Sequence, residues 1–105
     1  TDMQQILDVE KFEQLQEILV REIIEQIRFK LAQGGINGDQ LRDLTGEIAF
    51  SVASTIDDQA NIERDGLEVH PYLAFIGQEQ EIIHCGENSF AHEFVADVMK
   101  KVFSN

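Results

Sequence analysis

The chain has 105 residues, 43% of them hydrophobic, and carries a formal net charge of −12 from twenty acidic and eight basic side chains. That length allows one domain with a modest core, and the apolar content, which includes seven Phe, excludes a disordered polymer despite the charge. The acidic balance disfavours direct binding to nucleic-acid phosphates or to anionic membrane surfaces, since both depend on Lys and Arg.

In chain order, the first predicted element is a long helix from Val9 to Gln33. Phe12, Leu15, Ile18, Leu19, Ile23, Ile24, Ile27 and Leu31 recur at steps of three and four and share one broad face. Asp8 is the expected N-cap and Gly34-Gly35 the stop. Such a helix is roughly 37 Å long at 1.5 Å per residue. A compact chain of this size has a radius of gyration of only about 13 Å. Val20 and Phe29 widen the apolar band, which calls for a second helix or a second subunit against it.

Asn37 and Gln40 fit a capping box after the turn at 34–38, and a second helix is predicted over 39–56. Its apolar positions are Leu41, Leu44, Ile48, Ala49, Val52, Ala53 and Ile56. Ala49 and Ala53 are four apart and permit close approach, so the two helices should form an antiparallel hairpin. Residues 57–66 are polar and end in the turn signal Asp65-Gly66.

The apolar period then drops to two. Leu67, Val69, Leu73 and Phe75 alternate with Glu68, His70, Tyr72 and Ala74, which predicts one strand with Pro71 at an edge or bulge. Residues 77–80 turn and 81–85 return as a second strand. The expected register sets Ile76 opposite Glu81, Phe75 opposite Ile82, Leu73 opposite His84 and Tyr72 opposite Cys85, and a slip of one residue would reverse every face. A last helix begins at an N-cap Ser89 with Glu93 in its first turn. Phe90, Phe94, Val95, Val98, Met99, Val102 and Phe103 form its stripe, and Lys100 and Lys101 suit its C-terminal dipole.

The fold class is therefore α+β, in the order α-α-β-β-α, with a helical hairpin and a C-terminal helix packed on an antiparallel β-hairpin in a single domain over 1–105. A two-stranded sheet is marginal and leaves edges open. A homodimer joining two hairpins into a four-stranded sheet would close them.

The search for chemistry finds no cofactor motif. Cys85 is the only cysteine, so no internal disulfide is possible. His84 is its neighbour, but adjacent strand residues point to opposite faces, so His84 is badly placed to activate the thiol. His84, His92 and Glu93 are the candidate metal ligands, without an H-E-x-x-H or C-x-x-C pattern. The carboxylate pairs Asp57-Asp58 and Glu79/Glu81 read as turn or solvent-face residues. The glycines at 34–38 lack the Lys-Ser/Thr of a phosphate loop and follow a helix.

Charge distribution carries the functional expectation. From Asp65 to Asp97 there are seven acidic residues and no Lys or Arg. This acidic half suits an interaction or regulatory module that binds a basic protein partner, as inhibitors, immunity proteins and chaperones do, with Glu68, His70, Tyr72, Glu79 and Glu81 as contacts. A small-ligand domain using Phe50, Tyr72, Phe75 and Phe90 is the alternative, and a metal-assisted enzyme using His84, His92 and Glu93 is the second alternative. No run approaches the roughly 18 apolar residues of a membrane span. The segment 1–10 carries neither the basic start nor the apolar block of a secretory signal. The chain opens on Thr rather than Met, so its natural start is not legible. The reading is cytoplasmic, and an acidic balance is common among bacterial cytosolic proteins.

Overall fold

A computed structural model describes residues 3–104, with residues 1, 2 and 105 outside the description. The fold is α+β. Its elements are β1 (Gln5–Leu7), α1 (Val9–Gln33), α2 (Gly38–Ile56), β2 (Ile62–Arg64), β3 (Leu67–Val69), β4 (Phe75–Ile76), β5 (Ile82–His84), a 3₁₀ turn (Ala91–Phe94) and α3 (Val95–Val102).

The first helix has the predicted bounds, and its signals are local. Asp8 caps it by accepting the Lys11 N–H at 3.0 Å, and Gly34 closes it on the carbonyls of Lys30 and Leu31. Its buried line is narrower than the apolar pattern: Phe12, Gln16, Val20 and Ile24, each four residues after the last, while Ile18 and Phe29 stay exposed. The second helix answers with Thr45, Ala49 and Ala53 at the same spacing. Two rows at steps of four, small on one side, let the helices pack closely. Asn37 is the N-cap of α2, although its side chain makes no capping bond.

Each half of α1 serves a different layer. Its C-terminal half contributes Val20 and Ile24 to a core shared with Ala49, Ala53, Ala91, Val95 and Val98. Its N-terminal half places Phe12 under the sheet, against Ile83 and Cys85, with the Phe12 and Phe75 rings 5.1 Å apart. Arg28 ties α3 to α1: it donates to the Val102 carbonyl at 2.7 Å and lies over the Phe103 ring at 4.3 Å.

The strands correct the expected hairpin in three ways. First, the long strand from Leu67 is two strands. Pro71 lacks an N–H, and residues 70–74 join no ladder. The part before it folds back on β2, with Ile62 opposite Val69 and Arg64 opposite Leu67. The two-residue turn between them has both φ values positive, Asp65 at 53° and Gly66 at 81°, the conformation that an Asp-Gly hairpin turn supplies. Second, the β4–β5 register is one residue away from the expected one. Ile76 pairs with Ile82 and Phe75 with Ile83, because the turn takes five residues and closes through Gly77 N–H to the Glu81 carbonyl at 2.8 Å. Third, an unforeseen strand, β1, pairs parallel to β5, with Gln5 opposite Ile82 and Leu7 opposite His84. The order is β1-β5-β4, so this chain itself occupies the side of β5 away from β4.

The start of the last helix also departs from expectation. Ser89 is not its cap: a 3₁₀ turn opens at Ala91, Phe90 precedes it without a side-chain capping bond, and α3 proper starts at Val95. The molecule measures 48 × 38 × 22 Å with a radius of gyration of 15.7 Å, above the ~13 Å of a compact chain of this length. It is flattened: one layer of helix lies behind one layer of sheet. Among the described residues no helix is long and apolar enough to cross a membrane.

Candidate functional site

The densest polar cluster is built on Asp57, the residue that ends α2. Its carboxylate is fully buried. Oδ1 accepts from the Ser89 hydroxyl at 2.5 Å and from the Ala91 N–H at 2.9 Å. Oδ2 accepts from the His92 N–H at 2.9 Å and from His92 Nδ1 at 2.5 Å. Burial pushes the Asp57 pKa up, but the hydrogen bonds from His92, Ser89 and Ala91 outweigh it and hold the group below its ordinary value of 3.8. An ionised Asp57 requires Nδ1 of His92 to carry the proton. The ring then stands edge-on to Phe50 at 5.6 Å.

Serine, histidine and aspartate meet here, yet they do not form a nucleophile–base pair. Ser89 and His92 bind opposite oxygens of one carboxylate, so the hydroxyl proton points at Asp57 rather than at an imidazole nitrogen. The cluster is a clasp. Asp57 provides from another element the N-terminal cap that Ser89 was expected to provide locally. Sequence reasoning left Asp57 as a turn residue, and nothing near it signals the role, because its partners lie 32–35 residues further on.

The candidate metal ligands are engaged in separate tasks. His84 Nδ1 accepts the Gly86 N–H at 3.1 Å, and His92 Nδ1 is held by Asp57. Cys85 points into the core beneath the sheet, and its thiol lies 3.1 Å from the Glu87 carbonyl. Among the described residues no three His, Cys, Asp or Glu side chains converge on a common point. The aromatics of the small-ligand alternative are also dispersed. Phe50 lines a groove of α2 with Gly46 and Met99, Tyr72 lines one on the sheet, and Phe75 packs on Phe12.

The five expected contacts fall in three places. Glu68 and His70 belong to the β2–β3 ribbon, where His70 Nδ1 lies 3.0 Å from Asp58 and Nε2 lies 3.6 Å from Glu68. The hydrogen bond to Asp58, then its charge and that of Glu68, raise the His70 pKa above 6.5. Tyr72 lies with Gln5, Ala74, Ile82 and His84 on the sheet surface. Glu79 and Glu81 sit together at the β4–β5 turn beside the start of α1.

That third place is a groove of about 410 Å³. Its floor is apolar, from Ile6, Leu15 and Ile83, and its walls carry Asp8, Glu79 and Glu81, with Lys11 as the lining cation. Glu81 folds back over the turn and accepts the Glu79 N–H at 3.3 Å. Gly77 makes the room for it, since a Cβ there would stand 1.6 Å from the Glu81 carboxylate. The β4–β5 turn and the cap of α1 thus bring together three carboxylates, although Asp8 is more than seventy positions from the other two.

No protein-family profile, curated protein or solved structure matches the chain.

Proposed function

We propose that this protein is an interaction module that binds a basic segment of a protein partner in the groove between the β4–β5 turn and the start of α1. The observation that carries this reading is the combination of an apolar floor with three carboxylates in the walls. Lys and Arg side chains match both parts: the methylene stem lies on Ile6, Leu15 and Ile83, and the cationic head reaches Asp8, Glu79 or Glu81. The net charge of −12 adds long-range attraction that speeds encounter with a basic partner. The single, buried thiol accords with work in a reducing, cytosolic compartment.

The test is capture of partners from host lysate with the wild type and with the Glu79→Lys/Glu81→Lys double variant, at low and high salt. A basic protein held at low salt by the wild type, released by salt and lost with the variant, is the expected result. Equal capture by both proteins would refute the groove as the site.

A further inference from the structure

The three-stranded sheet has a second face, and α1 does not cover it. The register settles which residues lie there. Phe75, Ile83 and Cys85 point inward to Phe12. Gln5 and Leu7 of β1, Ile76 of β4, and Ile82 and His84 of β5 therefore point outward. Leu7 is 62% exposed, Ile76 63% and Tyr72 52%. An antiparallel or mixed sheet with one solvated face ordinarily presents polar side chains to water. Here the outward positions are mostly apolar, the pattern of a sheet covered on both sides.

We infer that this face is the interface between two copies of the chain, packed sheet on sheet. Charge selects the occupant. In a molecule of net charge −12, the residues that make up the face (Gln5, Leu7, Tyr72, Ile76, Ile82 and His84) include no Asp, Glu, Lys or Arg. A basic partner finds no carboxylate here to pair with. A second copy, related by a two-fold axis, sets the same uncharged surface against itself and keeps the carboxylates at the rim. The area is adequate: the face offers roughly 600 Å² per copy, so a pair buries about 1,200 Å², the lower end of the range for stable interfaces. Covering it also gives the 22 Å thin molecule the further layer its sheet lacks. The arrangement differs from hairpins joined edge to edge, since β1 already fills the second side of β5.

This interface and the basic-partner groove respond to salt in opposite directions. Screening weakens attraction between the acidic groove and a cationic segment. It relieves repulsion between two copies of net charge −12, so the dimer tightens. The experiment is sedimentation equilibrium of the full chain from micromolar to millimolar concentration, in about 50 mM and about 500 mM salt, where dimerisation at least ~3-fold tighter in high salt is expected. Leu7→Asp/Ile76→Asp should abolish the dimer. Ile18→Asp/Phe29→Asp, on equally exposed apolar positions of α1, should leave it intact. If the sheet variant fails to fold, amide NMR shifts of the wild type on dilution replace it, with changes expected at residues 5–7, 72–76 and 82–86. A wild type that stays monomeric at millimolar concentration, a dimer that survives the sheet variant, or dilution shifts confined to the helices would overturn the inference. Each of these results leaves the groove reading standing on its own test.

Discussion

Replacing Asp57 tests the clasp that joins the end of α2 to the start of the last helix. Asp57→Ala leaves the Ser89 hydroxyl and the N–H groups of Ala91 and His92 without the acceptor they now share in a buried site. Hydrogen bonds to a charged group contribute about 1.5–3 kcal/mol each, but bonds that converge on one group are not additive. A loss of about 3–5 kcal/mol is expected, the range for removing one partner of a buried charged pair. For a domain of this size each kcal/mol lowers Tm by about 4–8 °C, so Tm should fall by at least about 12 °C. Asp57→Asn keeps the shape and one acceptor oxygen but turns an NH₂ toward His92, so it should fall between the wild type and Asp57→Ala.

The pH dependence has a definite sign. The folded Asp57 has a pKa below its ordinary value of 3.8, so folding favours the ionised form. Its contribution is fully present above about pH 4 and is lost as pH falls through the folded value. Thermal melts by circular dichroism at pH 7 and at a series of lower pH values would follow this. A Tm drop under about 4 °C for Asp57→Ala at pH 7, or a wild-type advantage over Asp57→Asn that grows as pH falls below 4, would refute the reasoning.

Other predictions concern separate parts of the molecule. Phe12 is fully buried between α1 and the sheet, so Phe12→Ala should cost about 3–5 kcal/mol by urea denaturation, with the β4–β5 amides losing exchange protection before those of α2. His70 should titrate above 6.5 by NMR, and Asp58→Asn should bring its midpoint back toward 6.5, because the Asp58 carboxylate is the main cause of the rise. Asp65-Gly66 adopts positive φ at both residues, so Gly66→Ala should destabilise the β2–β3 ribbon by about 1 kcal/mol, read as a selective loss of exchange protection at Ile62 and Val69.

Local chemistry made much of the helical part legible. Asp8, Gly34 and the apolar recurrence between them set both ends of α1, since a cap and a stop act within one turn of the residues that carry them. The Ala49/Ala53 step announced a close helix pair for the same reason. Asp65-Gly66 marked its turn correctly, but the strand it pairs backward, Ile62–Arg64, sits in a polar stretch too short for a period to emerge.

What only the tertiary structure decided rests on partners distant along the chain. β1 is three residues long and exists because β5, some seventy-five positions later, offers it a ladder. The one-residue shift between β4 and β5 follows from a five-residue turn that alternation cannot count, and it determines that Ile83 and Cys85 go inward while Ile76 and Ile82 go outward. The carboxylates expected on one acidic face separate into a ribbon and a groove for the same reason: charge along a sequence says nothing of which side of a strand each residue takes. Asp57 shows the limit most plainly. Its burial and its four hydrogen bonds come from residues 89–92, brought to it by the packing of three helices. Periods and caps are one-dimensional signals that act within a few residues. Pairing, facing and clasping depend on where the folded chain brings distant segments together, which no local pattern encodes.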